Sequence, residues 1–154
     1  HGICQRYRDP QHLITSAGEH AAVHEVARYW QSLGWQVTFL PLDEQGFVRV
    51  ADLEAAIQGN TVLVSVIHGH NEVGSLQPIG ELARVCRQRG IPFHTDAVQS
   101  VAKVPLEVEA LGVDLLSVSG HKGRYWCDRA WHWLRGCGVG GRSKDCAREL
   151  RRWV

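Results

Sequence analysis

Polar side chains capable of acid, base or nucleophilic chemistry follow four hydrophobic runs of the sequence. Asp96 ends one run, and a Ser-Gly-His-Lys string at 119–122 follows the next. A lone Asp at such a place is typical of a helix cap and a lone Lys of the solvated surface, so only the combination indicates a site. The full set at the run ends is Glu19, His20, His68, His70, Asn71, Glu72, Asp96, Gln99, Ser119, His121 and Lys122.

The combination contains the groups that a pyridoxal phosphate (PLP) site requires. Lys122, partly desolvated at a strand end, would present a neutral amine to the cofactor aldehyde. Asp96 would keep the pyridine nitrogen protonated, so that the ring can act as an electron sink. The other groups would bind the rest of the cofactor: Asn71 and Gln99 the phenolic oxygen, Ser119 and His121 the phosphate, and His20 the ring face, where it could relay protons.

These side chains need a scaffold that gathers strand ends, and residues 1–122 alternate strand-like and helix-like patterns. The run 61–67 is almost continuously β-branched, which is typical of a strand buried on both faces of a parallel sheet. Such a β-then-α order predicts an α/β fold, with a mostly parallel sheet, flanking helices and ligands beyond the carboxyl ends of the strands. Strands are predicted at 12–16, 35–40, 61–67, 92–95 and 113–119, and helices at 23–33, 51–58 and 78–90.

Four strings in this region resemble the cysteine desulfurases of the NifS/IscS type, which belong to the class V aminotransferase group with the fold-type I PLP architecture. They are Ile-Thr-Ser-Ala-Gly-Glu-His at 14–20, His-Gly-His-Asn-Glu-Val-Gly at 68–74, His-Thr-Asp-Ala-Val-Gln-Ser at 94–100 and Ser-Val-Ser-Gly-His-Lys at 117–122. The resemblance runs from about residue 12 to residue 122 in order. It implies that residues 1–122 are a partial large domain that binds PLP, with Lys122 holding the Schiff base.

The resemblance also implies a reaction and partners. The family forms homodimers, removes sulfur from L-cysteine as an enzyme persulfide and leaves alanine. The sulfur passes to an acceptor or scaffold protein for iron–sulfur cluster assembly. Selenocysteine lyases share these motifs, so the choice between sulfur and selenium stays open.

The sequence also departs from the family pattern. His70 stands where the family usually has a second Asn, a change we expect to be tolerated. We expect the chain to be a piece of a longer protein, because it begins at His1, and the family's upstream phosphate-binding segment, catalytic cysteine loop and substrate-binding arginine are not matched. A non-catalytic remnant of the large domain is therefore the alternative to a competent desulfurase.

Residues 123–154 differ in character from the rest. They carry eight Lys/Arg against three Asp/Glu and four of the six Trp, whereas residues 1–122 carry nine basic against thirteen acidic residues. We interpret the segment as an atypical tail, either disordered or translated out of frame. The Trp-His-Trp codons at 131–133, read one base later, give Gly-Ile/Thr-Gly, which the family would have nearby; a resequenced gene with one continuous frame would refute the hypothesis.

Composition excludes several classes of function. No run of about 18 apolar residues is present and the first ten residues are polar and basic, so we predict neither a membrane span nor a signal peptide. A net charge of +1 gives no general attraction to nucleic acid, and the basic tail carries no recognition motif. Five cysteines, an odd number, favour reduced thiols and a cytoplasmic location.

Two possible metal sites are alternatives to the PLP interpretation. The tail cysteines Cys127, Cys137 and Cys146 lack a Cys-x-x-Cys pair, which argues against zinc. His68 and His70, two apart on a predicted strand, would point to one face, but the family resemblance accounts for their neighbourhood without a metal. Cys86 lies on the apolar side of its predicted helix and is expected in the core.

Overall fold

The structure is a computed structural model that describes residues 1–70, 72–101 and 103–119, together with the backbone of 133–135. A short 3₁₀ turn, Cys4–Arg6, comes before the first strand. The strands are β1 (His12–Ser16), β2 (Gln36–Leu40), β3 (Thr61–Ile67), β4 (Phe93–Asp96), β5 (Leu115–Ser117) and β6 (Trp133–Arg135). The helices are α1 (Ala21–Ser32), α2 (Val50–Ala56), α3 (Ile79–Gln88) and α4 (Val108–Leu111).

The described strands form one sheet in the order β2-β1-β3-β4-β5-β6. The first five strands are parallel, and β6 pairs with β5 in the antiparallel direction. Because β2 lies on one side of β1 and β3 on the other, the strand order reverses between β1 and β3. In open α/β sheets, the crevice beyond the strands at such a reversal is where ligands bind.

The sheet separates two hydrophobic clusters. The larger one packs α2 and α3 on the sheet through Leu53, Leu82 and Phe93, none of which is exposed to solvent. The smaller one contains Leu13 and Trp35, with Trp30 of α1 packed against it. Since strand side chains alternate between the two faces, residues such as Leu13 and Ile14 serve different clusters.

Local sequence signals define both ends of helix α3. Pro78 precedes its first residue, and Gly90, with φ 67°, follows its last turn, as expected for a left-handed stop. Five of its ten residues are buried, among them Cys86, whose predicted place in the core is confirmed. Burial raises the pKa of the Cys86 thiol to about 12.

The predicted fold class, α/β with a mostly parallel sheet and flanking helices, is confirmed. The strand predicted at 113–119 is shorter in the structure, where it spans Leu115–Ser117. At its start the Asp114 carboxylate accepts the Phe93 N–H at 2.9 Å, and strand pairing begins at Leu115. Helix α4 was not predicted, since four residues are too few to show a helical period.

No helix in the described part of the chain has the length and apolar character needed to cross a bilayer. Most of the predicted tail, 123–132 and 136–154, lies outside the described residues. The described residues of this tail form β6, the sixth strand of the sheet.

Candidate active site

Asp96 is the last residue of β4 and lies at the carboxyl edge of the sheet, next to the β1/β3 reversal. Its side chain is buried, and its Oδ1 accepts the Val98 N–H at 2.9 Å. The residue pairs with Ile67 of β3 on one side and with Ser117 of β5 on the other. This hydrogen bond fixes the orientation of the side chain, so Asp96 caps the turn after β4 and holds its carboxyl group at the edge.

Ser119 and Gln99 lie close to Asp96 in the fold. Ser119 is buried and comes two residues after Ser117, the strand partner of Asp96. Gln99 is half-buried in the turn that follows Asp96, and its Oε1 accepts from Lys103 Nζ at 3.4 Å. That contact does not use the Gln99 amide nitrogen, the donor that the sequence predicts for a ligand oxygen.

His20 directly precedes α1 and is exposed at the same edge. Its Nδ1 accepts the Ala22 N–H at 3.2 Å, so the ring is the N-cap of the helix. Because Nδ1 is an acceptor, a neutral His20 ring carries its proton on Nε2. The structure thus brings His20, Asp96, Gln99 and Ser119 to one edge of the sheet. The other predicted site residues, Asn71, His121 and Lys122, lie outside the described residues.

The sequence predicts no function for Glu19, although this residue directly precedes His20 after the end of β1. Its Oε1 accepts two hydrogen bonds, from Ser16 Oγ at 2.7 Å and from the Ile67 N–H at 2.6 Å. Its Oε2 is buried and has no hydrogen-bond partner among the described residues. Burial is the main cause that raises the pKa of Glu19 to about 8; the hydrogen bonds from Ser16 and Ile67 partly oppose the effect, and the charge of Asp96 adds to it.

His70 shapes the loop that follows β3. Its Nδ1 accepts the N–H groups of Glu72 and Val73, both at 3.2 Å. A Cβ at Gly18 would lie 3.2 Å from the His70 ring, so the glycine allows the ring to approach the β1 loop. An imidazole nitrogen thereby accepts turn N–H groups, as an Asn side-chain oxygen commonly does.

Two buried histidines tie neighbouring strands together. His94 Nδ1 lies 2.8 Å from Ser65 Oγ, and His94 Nε2 lies 2.8 Å from Ser117 Oγ. The ring therefore links β3, β4 and β5. Burial lowers the pKa of His94 to about 4, so the ring is neutral at pH 7. His12 links β1 to Thr61 and Thr38 in the same manner, and burial also lowers its pKa.

His68 does not share a strand with His70, contrary to the sequence interpretation, because β3 ends at Ile67. Its Nδ1 lies 2.6 Å from Ser100 Oγ, and burial lowers its pKa. Across the described ranges, no group of three or more His, Cys, Asp or Glu side chains is arranged to hold a metal ion. Cys127, Cys137 and Cys146, the three cysteines of the alternative zinc site, lie outside those ranges.

Comparison with protein families gives a match to aminotransferase class-V over residues 1–125. Among curated proteins, the cysteine desulfurase IscS of Dictyoglomus turgidum is 47% identical over 112 residues, covering 73% of this chain and 28% of that protein. The cysteine desulfurase of Homo sapiens is 47% identical over 122 residues, covering 79% of this chain and 27% of that protein. The chain therefore spans little more than a quarter of the length of these relatives.

Solved structures give the same picture. A structure of SspA in complex with cysteine superimposes with a TM-score of 0.75 at 39% identity, covering 78% of this chain and 35% of that chain. A NifS-like protein gives 0.74 at 34% identity, covering 78% of this chain and 34% of that chain. An apo cysteine desulfurase from Thermococcus onnurineus gives 0.71 at 29% identity, covering 79% and 30%.

Proposed function

Because the chain belongs to the class-V aminotransferase family, we propose that it supplies part of the PLP-binding domain of a cysteine desulfurase. The observation that carries the proposal is the buried carboxylate of Asp96 at the carboxyl edge, next to the point where the strand order reverses. The two curated relatives reported above are both named cysteine desulfurases, and this name supports the choice of reaction.

The donor set at the edge fits PLP. A buried carboxylate suits a protonated ring nitrogen, a buried serine hydroxyl suits a phosphate, and an exposed imidazole at the same edge suits the flat ring face. In the proposal, Asp96 binds the ring nitrogen, Ser119 and His121 the phosphate, Asn71 and Gln99 the phenolic oxygen, and Lys122 the aldehyde. PLP, when bound, supplies the electron sink for the reaction of an amino acid.

The chain's own residues would orient the cofactor and move protons. Asp96 would hold the proton on the ring nitrogen, with its carboxylate fixed by the Val98 N–H. His20 would stack on the ring and exchange a proton at Nε2, because Nδ1 is engaged by the Ala22 N–H. The substrate would be L-cysteine, which leaves as L-alanine after its sulfur passes to an enzyme thiolate as a persulfide.

The thiolate that takes the sulfur is not among the described cysteines. Cys4 and Cys86 are free but buried, and burial raises the pKa of both thiols. A protonated, inaccessible thiol is a poor nucleophile, so the acceptor thiolate would come from outside the described residues. The second candidate is a span that binds PLP but does not by itself turn over cysteine.

The proposal extends to partners and compartment. We infer a homodimer, a sulfur-acceptor or iron–sulfur scaffold protein as the recipient of the sulfur, and a reducing, cytoplasmic location. The two unpaired thiols in the described residues support a reducing compartment. A selenocysteine substrate would need the same cofactor groups.

PLP binding by the purified chain tests the proposal. We expect an absorbance of lysine-linked PLP at the edge of the visible range, lost in Lys122→Ala and kept in Lys144→Ala, a lysine to which the sequence assigns no role. The chain has three lysines, so borohydride trapping and peptide mapping would identify the modified one. Modification at Lys103 or Lys144 instead of Lys122 would contradict the assignment.

Alanine release from L-cysteine, with selenocysteine in parallel, distinguishes the two candidates. A PLP-loaded chain that releases no alanine is the non-catalytic span. Release of alanine by the chain alone would support a competent desulfurase.

A further inference from the structure

Glu19 lies where the strand order reverses, between the ends of β1 and β3. These two strands pair as far as Thr15 and Ser65, and Ile67 extends beyond the last pair. The Ile67 N–H donates a hydrogen bond to Glu19 Oε1 at 2.6 Å. The carboxyl group thus takes the place that the carbonyl of a neighbouring strand would have as acceptor. Ser16, the last residue of β1, donates to the same oxygen at 2.7 Å. One carboxyl oxygen thus joins the ends of both strands.

The same residue connects two predicted cofactor-binding groups. His20, the N-cap of α1, follows Glu19 directly in the chain. Ile67, whose N–H Glu19 accepts, is the strand partner of Asp96. A shift of the Glu19 carboxyl group would therefore move the end of β3 and the start of α1, the two elements next to Asp96 and His20.

The surroundings of Glu19 favour a neutral acid. Its Oε2 is buried without a hydrogen-bond partner among the described residues, which is costly for an anion. Among the described residues, Asp96 is the ionisable group whose charge raises the pKa of Glu19. An ionised Glu19 would repel the Asp96 carboxylate. Since Oε1 already accepts two hydrogen bonds, a proton on the group would lie at Oε2.

We propose that Glu19 is a positioning residue that keeps a proton on Oε2, joins the ends of β1 and β3, and leaves Asp96 as the ionised partner of the cofactor. The assignment to a PLP site rests on the proposed function. The proton and the link between the strands are properties of this chain without any ligand.

The first experiment measures the proton directly in the PLP-free chain. Carboxyl ¹³C NMR, with the Glu19 signal assigned by through-bond correlation to its backbone in the wild-type chain, should give a midpoint near 8. A midpoint near 4.5, the ordinary glutamate value, would overturn the inference. The measurement needs only the wild-type fold, so it holds even if a variant fails to fold.

The second experiment measures the PLP dissociation constant, with Glu25→Gln, an exposed glutamate on α1, as the matched control. Glu19→Gln, neutral and of equal shape, should bind within about twofold of wild type at pH 7, and Glu19→Ala about tenfold more weakly. Above pH 8 the wild type should lose affinity as Glu19 ionises, whereas Glu19→Gln should not. A purely structural role would not give this difference in pH profile.

The outcomes separate the inference from the proposed function. Glu19→Gln binding as weakly as Glu19→Ala would mean that the charged form is needed and would overturn the inference alone. Wild-type affinity in Glu19→Ala would exclude a positioning role. No PLP binding by the wild-type chain, with a Glu19 midpoint near 8, would overturn the proposed cofactor and the positioning role with it.

Discussion

Acid is expected to destabilise this protein through His94. The ring is buried on β4, two residues before Asp96, and both of its nitrogens lie within hydrogen-bond distance of serine hydroxyls on the neighbouring strands. A protonated ring would be a buried cation with two donors. The fold therefore binds the proton less well than the unfolded chain does.

The size of the effect follows from the pKa. In the unfolded chain the ring titrates near 6.5, and in the fold its pKa is about 4. A lowered folded-state pKa contributes stability that is complete above pH 6.5, decreases as the pH falls, and is lost once the pH has fallen through about 4. At about 1.36 kcal/mol for each pH unit, the loss is about 3 kcal/mol, a large share of the 5–15 kcal/mol typical of a domain.

Urea unfolding between pH 7 and pH 4 would measure this loss. His12 and His68 also have lowered pKa values, so the informative quantity is the difference between wild type and His94→Gln. The variant should be less stable at pH 7, because it disrupts the serine contacts, but should lose about 3 kcal/mol less on acidification. His24→Gln, a partly exposed histidine, is the control and should follow the wild type.

Parallel pH profiles for wild type and His94→Gln would refute the reasoning. An NMR titration of the wild-type ring provides an independent check if the variant does not fold. A His94 midpoint near 6.5 would show that burial does not control its charge.

Two further substitutions test buried polar groups. Thr15→Val removes a buried hydroxyl that has no partner among the described residues, so the free energy of unfolding should rise by roughly 1 kcal/mol. The control Thr95→Val loses a buried hydrogen bond and should lower the free energy of unfolding by about 1 kcal/mol. A loss of stability in Thr15→Val would show that its hydroxyl has a partner after all. Gln77→Ala should lower the free energy of unfolding by about 2–4 kcal/mol, because the side-chain amide donates to the Gly46 carbonyl and accepts from the Val48 N–H. An unchanged urea midpoint would contradict this prediction.

The sequence predicted the elements because their signals are local. The β-branched run that became β3, and the Pro78 and Gly90 boundaries of α3, depend on neighbours a few residues away. Asp96 and His20 were predicted as site residues for the same reason: Asp96 lies at the end of a strand and His20 follows the loop after another, and parallel strands bring such positions to one edge.

Only the tertiary structure gave roles to Glu19 and His94. Glu19 bonds an N–H 48 residues away, and His94 contacts Ser65 and Ser117 across two strands. Strand order and register determine these contacts, and register follows from packing the whole sheet, so no local pattern predicts them. Chain order brings the chemical groups to the edge, and long-range pairing determines which of them are buried, protonated or neutral.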